Sequence, residues 1–507
     1  MKPKNSLCTH NARPVMLSDI PQLPFAEFRE TLLQSIRAQG RLAALFGQGR
    51  EKSKTRLLAV VAQDKAGDLL LFSTDVDEEF PSLTPLCPQA QGFEREIAEQ
   101  WGAVPFGHPW FKPLRFHHCA PARQDAWGRD PQHPLLPAER DFFHVLGAEI
   151  HEVAVGPVHA GVIEPGHFRF QCHGERVLHL EISLGYSHRG LEAKLIQGPD
   201  PRTLHYMETA AGDTTIGHTL AYCQAVEALS GRKVPARAQA WRAIALELER
   251  LANHTGDLGA LSGDVGYLPT ASFCGRLRGD FLNLTAMLCG SRFGRGLIRP
   301  GGVTADLSAE QIKTFTQKIS VVFKDTNRAI NLLWKTPSVM SRFEETGTLS
   351  PEICGQLGLV GPAARACGLE RDVRFDFPTG MYTVAQIPPA TWQSGDVFSR
   401  AYVRWLEIQR STAFVQELIQ TLPGGQIRSA PGPLRPNQVV VSLVEGWRGE
   451  ICHIAQTDKQ GRFQHYKLVD PSFHNWMGLA QAMRDQQISD FPLCNKSFNL
   501  SYCGHDL

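Results

Sequence analysis

The chain of 507 residues holds twelve cysteines and not one Cys-x-x-Cys pair. The sulfurs lie far apart, at Cys8, Cys87, Cys119, Cys172, Cys223, Cys274, Cys289, Cys354, Cys367, Cys452, Cys494 and Cys503, so closely spaced pairs of thiolate metal ligands are absent. Long hydrophobic runs are missing too. Leu57 to Ala62 and Leu69 to Phe72 fall far short of the ~18 residues that span a bilayer, so any membrane association must come through partners. Charge of one sign does not dominate: 52 lysines and arginines face 51 aspartates and glutamates, with no long run of either. That balance argues against a nucleic-acid or polybasic membrane surface. The amino terminus has lysines but no apolar signal core, and no internal repeat or low-complexity tract occurs. A reduced, cytoplasmic chain is the expectation.

Length alone suggests roughly three domains, whereas the residue pattern groups into two blocks. Residues 1–120 read as a small α+β domain, with a helix over Phe25 to Gln39 and strands at Leu57–Val61 and Leu69–Phe72. A proline-punctuated stretch, Pro121 to Pro137, marks a linker over 121–150. From 151 to 507 the pattern is mainly helical with small β elements. The segment Ala238 to Leu261 puts Ile244, Leu248 and Leu251 on one face, with Glu247, Glu249 and Arg250 elsewhere. Gly/Pro breaks bound two further predicted helices, Ala309 to Trp334 and Val397 to Leu422. Short strands fit Phe168–Phe170, Val177–Ile182 and Val439–Leu443.

Several runs carry more than periodicity. Gly156-Pro157-Val158-His159-Ala160-Gly161, Glu164-Pro165-Gly166-His167-Phe168 and His188-Arg189-Gly190-Leu191-Glu192 resemble the opening of membrane-associated, energy-converting [NiFe]-hydrogenase large subunits. The segment from Phe93 through Trp101-Gly102 to Pro109 resembles the end of the complex I C-type subunit. Glu249-Arg250-Leu251-Ala252-Asn253-His254, Arg299-Pro300-Gly301-Gly302-Val303, Gly395 to Arg400 and Asp490-Phe491-Pro492-Leu493 follow in the family's order. The whole is similar to the fused C-like and D-like arrangement of formate hydrogenlyase large subunits.

The resemblance also locates a site and shows it altered. Family members hold a nickel–iron centre on four cysteine sulfurs, whose soft, strongly donating field the metals need. Alignment of Ala221-Tyr222-Cys223 puts the first two ligand positions at Ala211 and Thr214, and the terminal motif puts the others at Ser501 and Gly504, with Cys503 one residue out of place. The implication is a chain that holds no cofactor itself. The tyrosine that binds quinone in D-type subunits falls at Gly212, and the spacing from His159 to His167 departs from that pattern. What remains is a polar cavity in which Asp213, Thr214, His218, Ser501, Cys503 and His505 are expected to converge. By resemblance, Glu192 lies on a proton route and Arg448 overhangs the metal position. The expected catalytic set is thus Glu192, Asp213, His218 and Arg448, with Thr214, Ser501, Cys503 and His505 lining the acceptor.

Plainer readings stand beside these. Arg189 and Glu192 at helical spacing suit an ion pair or a cap; Arg448, after a tryptophan where the family has proline, suits a structural salt bridge; His218 suits a hydrogen-bonded core histidine. Asp213, His218 and His505 lack the compact spacing of a zinc or iron site, and Cys223 and Cys289 read as small buried hydrophobes. The resemblance implies a small subunit carrying a [4Fe-4S] cluster, a ferredoxin-like subunit and antiporter-like membrane subunits, at the inner face of the cell membrane. Three functions follow: a redox subunit acting on a quinone or other acceptor, a non-catalytic scaffold or coupling subunit, and a nickel enzyme with unorthodox ligands.

Overall fold

The computed structural model describes residues 5–49, 54–120, 123–130, 132–137, 140–161 and 163–507. Strands Arg41–Gly49, Thr55–Gln63 and Asp68–Val76 form an antiparallel sheet with Leu7–Thr9 at its edge. Their sequences are apolar without alternation, the pattern of a sheet covered on both faces. Helix Phe25–Arg37 packs on it, the Phe28 ring 5.1 Å from Phe72, and helix Gln91–Trp101 packs against Arg41–Gly49. Val439, Val441, Leu443, Cys452 and Ile454, from far along the chain, join the same core.

Of the expected linker, Pro121, Ala122, Pro131, Ala138 and Glu139 lie outside the described residues; between Val104–Phe106 and Ile150–Val155 the remainder has no regular element. The second block opens with an antiparallel sheet of Ile150–Val155, His167–His173 and Arg176–Ser183. Helices Thr215–Ser230, Ala236–Asp264, Leu268–Cys289, Ala309–Trp334 and Val397–Gln420 follow. Two of their starts have a local cause. Ser308 and Gln311 make a reciprocal capping box, and the Asp396 carboxylate accepts from the Ser399 amide at 2.8 Å.

A second four-stranded sheet, Phe463–Val469, Gly449–Thr457, Gln438–Gly446 and Val15–Met16, makes the block less helical than its sequence suggests. Gly449–Thr457 is buried at all nine positions yet contains Glu450, His453 and Gln456, so it shows neither alternation nor an apolar run. The pairing of Val15 with Val439 carries the amino-terminal segment into a sheet of the carboxyl-terminal block.

Candidate functional site

Helix Thr215–Ser230 begins just after Gly212 and Asp213, and the turn between strands Gln438–Gly446 and Gly449–Thr457 brings Arg448 to them. The guanidinium donates to both Asp213 carboxylate oxygens at 2.5 and 2.8 Å, to Thr214 Oγ1 at 3.3 Å and to the Asn499 carbonyl at 2.5 Å. It also lies 3.9 Å over the Trp447 ring. Trp447 Nε1 and Asn253 Nδ2 each donate to the Asp213 carbonyl at 3.0 Å. Burial opposes the Arg448 charge, but Asp213 outweighs it and holds the group above the usual arginine range. The aspartate keeps 35% of its side chain open to solvent, so the pair is anchored inside and presented outside.

Glu249 sits beside it. Its carboxylate accepts from the amides of Ile216 at 2.7 Å and Gly217 at 3.2 Å, and it shares a small pocket with Asp213, Asn253 and Arg292. Burial pushes its pKa up to about 8, against the pull of those amides and with the help of the Asp213 charge. Its carboxyl is thus held above the ordinary carboxylate range, although the sequence pattern sets it off the apolar face of its helix.

His218 is fully buried. Nε2 is 3.0 Å from Asp470, Nδ1 is 3.1 Å from His453 Nε2, and His453 Nδ1 is 3.0 Å from the Tyr466 hydroxyl. The histidine is a linked core group, in line with its plainer reading. Asp470 also caps helix Pro471–Ala482 through the Ser472 amide at 2.8 Å. Ser472 Oγ in turn accepts from the Ser501 amide at 2.9 Å. Ser501 caps the short helix Tyr502–His505 through the Gly504 amide at 2.9 Å and lies 3.4 Å from Cys503 Sγ. Burial and Glu164 push the Cys503 thiol up to about 11, while the Ser501 hydroxyl and Gly212 amide favour its thiolate. The loops at Gly212 and Cys503 therefore meet.

At the aligned Gly504, an added Cβ would come 2.7 Å from the Asp470 Cγ; at Gly212 it would meet nothing within 4 Å. The site is closed inward and open outward.

Two expected members do not join it. His505 turns away, its ring stacked on Phe473 at 5.4 Å and its carbonyl accepting from Arg115. Two residues' rotation along a single helical turn, roughly 200°, sets it on the opposite side from Cys503. Glu192 accepts from Lys467 and the Leu468 amide, both at 2.9 Å, in a buried charge chain through Glu96 to Arg115. Nor does Glu192 pair with Arg189, which donates to the carbonyls of Thr209 at 2.9 Å and Ala210 at 2.8 Å. His188 holds the carbonyl of Asp506 at 3.0 Å. Arg189 and His188 thus hold the Thr209–Ala210 turn that precedes the Ala211–Thr214 loop and the carboxyl-terminal segment. Among the described residues, no group of three or more His, Cys, Asp or Glu side chains is arranged to hold a metal ion.

Known proteins resemble this chain in sequence and in fold. Residues 264–433 match the family model described as the respiratory-chain NADH dehydrogenase 49 Kd subunit. Formate hydrogenlyase subunit 5 of Escherichia coli is 29% identical, over 91% of this chain and 84% of that protein. The carbon monoxide-induced hydrogenase of Rhodospirillum rubrum is 30% identical over 68% of this chain and 96% of its own length. In structure, a chain of the archaeal membrane-bound sulfane sulfur reductase superposes with a TM-score of 0.67 at 21% identity, covering 72% of this chain and 100% of that one. The chain belongs to the family that unites the large subunits of membrane-bound hydrogenase complexes with the 49 kDa-type subunit of complex I.

Proposed function

We propose that this chain is the large subunit of a membrane-associated oxidoreductase complex that accepts electrons from an iron–sulfur cluster in a partner and passes them, with protons, to a quinone or similar acceptor, without a nickel–iron centre. Among the described residues no helix is long and apolar enough to cross a membrane. In this reading the chain is peripheral, on the inner face, held by membrane subunits.

The donor set argues against the metal. The aligned positions are Ala211, Thr214, Ser501 and Gly504, the single nearby thiol is held neutral, and a side chain at 504 would displace Asp470. Such a site lacks the thiolate field the metals need.

The observation that carries the redox reading is the Asp213–Arg448 pair, anchored by a buried Arg448 with Asp213 35% exposed and Glu249 in the same small pocket. Quinone reduction takes two electrons and two protons. Glu249 stores one proton at neutral pH, and the open side of Asp213 gives solvent access for the other. An acceptor would lie over Gly212, where the surface is open, against the Cys503 thiol.

One observation favours the scaffold reading instead. Arg448 already makes four of the five hydrogen bonds open to a guanidinium, leaving a single Nη2 hydrogen for an acceptor. Asp213→Asn and Arg448→Ala separate the two in the assembled complex. A loss of at least ten-fold in acceptor-dependent turnover, with assembly intact, supports redox chemistry here; normal turnover in both supports the scaffold. Stoichiometric nickel in the purified complex would overturn both.

A further inference from the structure

Away from that site, a cavity of about 40 Å³ lies between helices Gln91–Trp101 and Pro471–Ala482 and the end of strand Arg176–Ser183. A single water needs ~10–15 Å³ by such a measure. Arg95, Arg140, Ser183, Trp476 and His505 are in its wall.

Three of these side chains bring polar atoms that are buried and have no hydrogen-bond partner: all three Arg140 nitrogens, Ser183 Oγ and Trp476 Nε1. The Arg140 side chain is 5% exposed, Ser183 2% and Trp476 5%. Buried orphans are rare in folded proteins and costly to leave unmet. Five donor nitrogens and oxygens belong to side chains around one small space; Arg140 has an ion pair with Glu181 at 3.1 Å but no hydrogen bond, and together the five mark a place for an acceptor from outside.

The charge has the same sign throughout. Arg140 is 3.1 Å from Glu181, but that carboxylate already accepts from Lys112 at 2.8 Å, Trp110 Nε1 at 3.3 Å and the Phe143 amide at 2.8 Å. Arg95 stacks on Trp110 at 4.4 Å and spends its donors on the carbonyls of Lys112 and Pro113. Burial first, and Arg140 second, bring Arg95 down to about 9, the mark of two guanidiniums that repel across a shared space. Three cations, Arg95, Lys112 and Arg140, thus gather around Glu181, with Glu99 the other carboxylate acting on the two arginines.

We propose that this cavity binds a small oxyanion of four or five heavy atoms, held by Arg140, Ser183 and Trp476 and neutralising the Arg95–Arg140 repulsion. Gln91 Oε1, an unpartnered acceptor on the same wall, faces an anion that still carries a proton. The site joins the segment before Ile150, the amino-terminal helix and His505, so its occupant ties the connecting segment to both blocks.

The test titrates the full chain with inorganic phosphate at constant ionic strength, balanced with chloride, and reads calorimetric binding and the thermal midpoint. Saturable binding with a rising midpoint is expected, weakened at least ten-fold by Arg140→Gln and several-fold by Ser183→Ala. Ser183→Ala alone should leave the phosphate-free midpoint unchanged or raised, because its hydroxyl has no partner to lose; this variant keeps the test open if Arg140→Gln fails to fold. A response that does not saturate, that chloride reproduces, or that Ser183→Ala leaves intact overturns the proposal.

Discussion

At the scale of single residues, the site is a contest between burial and pairing, and its two acids come out differently. Asp213 has Arg448 and keeps contact with water; Glu249 has only backbone amides and is driven up to about 8. A carboxyl raised above its ordinary 4.5 binds more protons folded than unfolded. Its contribution to stability therefore falls as pH rises from 4.5 to about 8, by on the order of a few kcal/mol, and levels off above. Glu249→Gln should flatten that window and raise stability at pH 8, measured by denaturant unfolding across pH 5 to 9; an unchanged pH profile would remove Glu249 as a proton store. Asp213, Thr214 and Arg448 were legible in the sequence because they sit in or beside runs of fixed order. Glu249 lies in such a run as well, but helical periodicity cannot register that two amides of another helix lie above it. Asp470 and His453 had no signal, since their partner His218 lies more than 200 residues away.

At the scale of elements, local chemistry settles the boundaries and tertiary contact settles the lengths. The helices Ala309–Trp334 and Val397–Gln420 begin where Ser308 and Asp396 cap them, which is why their starts can be read directly. Strands Thr55–Gln63 and Asp68–Val76 outrun their apolar cores because polar ends pair across the hairpin, Gln63 with Asp68 and Arg56 with Asp75. The short terminal helix is different, for it depends on a single close approach. Gly504 lies against Asp470, which caps one helix and holds His218 at once. Gly504→Ala should displace that carboxylate and cost about 1–3 kcal/mol, by overpacking and loss of the cap. Gly212→Ala, where a Cβ meets open space, should stay within about 0.5 kcal/mol. Comparable losses in both variants, read from denaturant midpoints, would place the strain elsewhere.

At the scale of the whole molecule, buried charge joins segments that sequence order keeps apart. Glu407 takes His254 at 2.9 Å, Arg365 at 2.7 Å and Arg250 at 3.3 Å; Arg365 also reaches Glu445 at 2.7 Å, and Arg250 the carbonyls of Glu445 and Gly446. None of these side chains is more than 2% exposed. The Glu249-to-His254 run thus carries structure as well as site chemistry, a division that composition and spacing do not reveal. Burial pushes the Glu407 carboxyl up, but Arg365, His254 and Arg250 prevail and hold it well below the carboxylate range. Its stabilisation is present above the unfolded carboxylate pKa and fades as pH falls towards the folded one. Removing one member of such a cluster leaves its partners charged in a dry interior, a loss of about 3–5 kcal/mol. Glu407→Gln should therefore lower the unfolding free energy by that amount, whereas Asp485→Asn, which breaks the exposed pair with Arg176, should change it by less than about 1 kcal/mol. Equal, small effects in the two variants would mean that water reaches the Glu407 cluster and that the central helices are not locked to the Gln438–Gly446 strand through it.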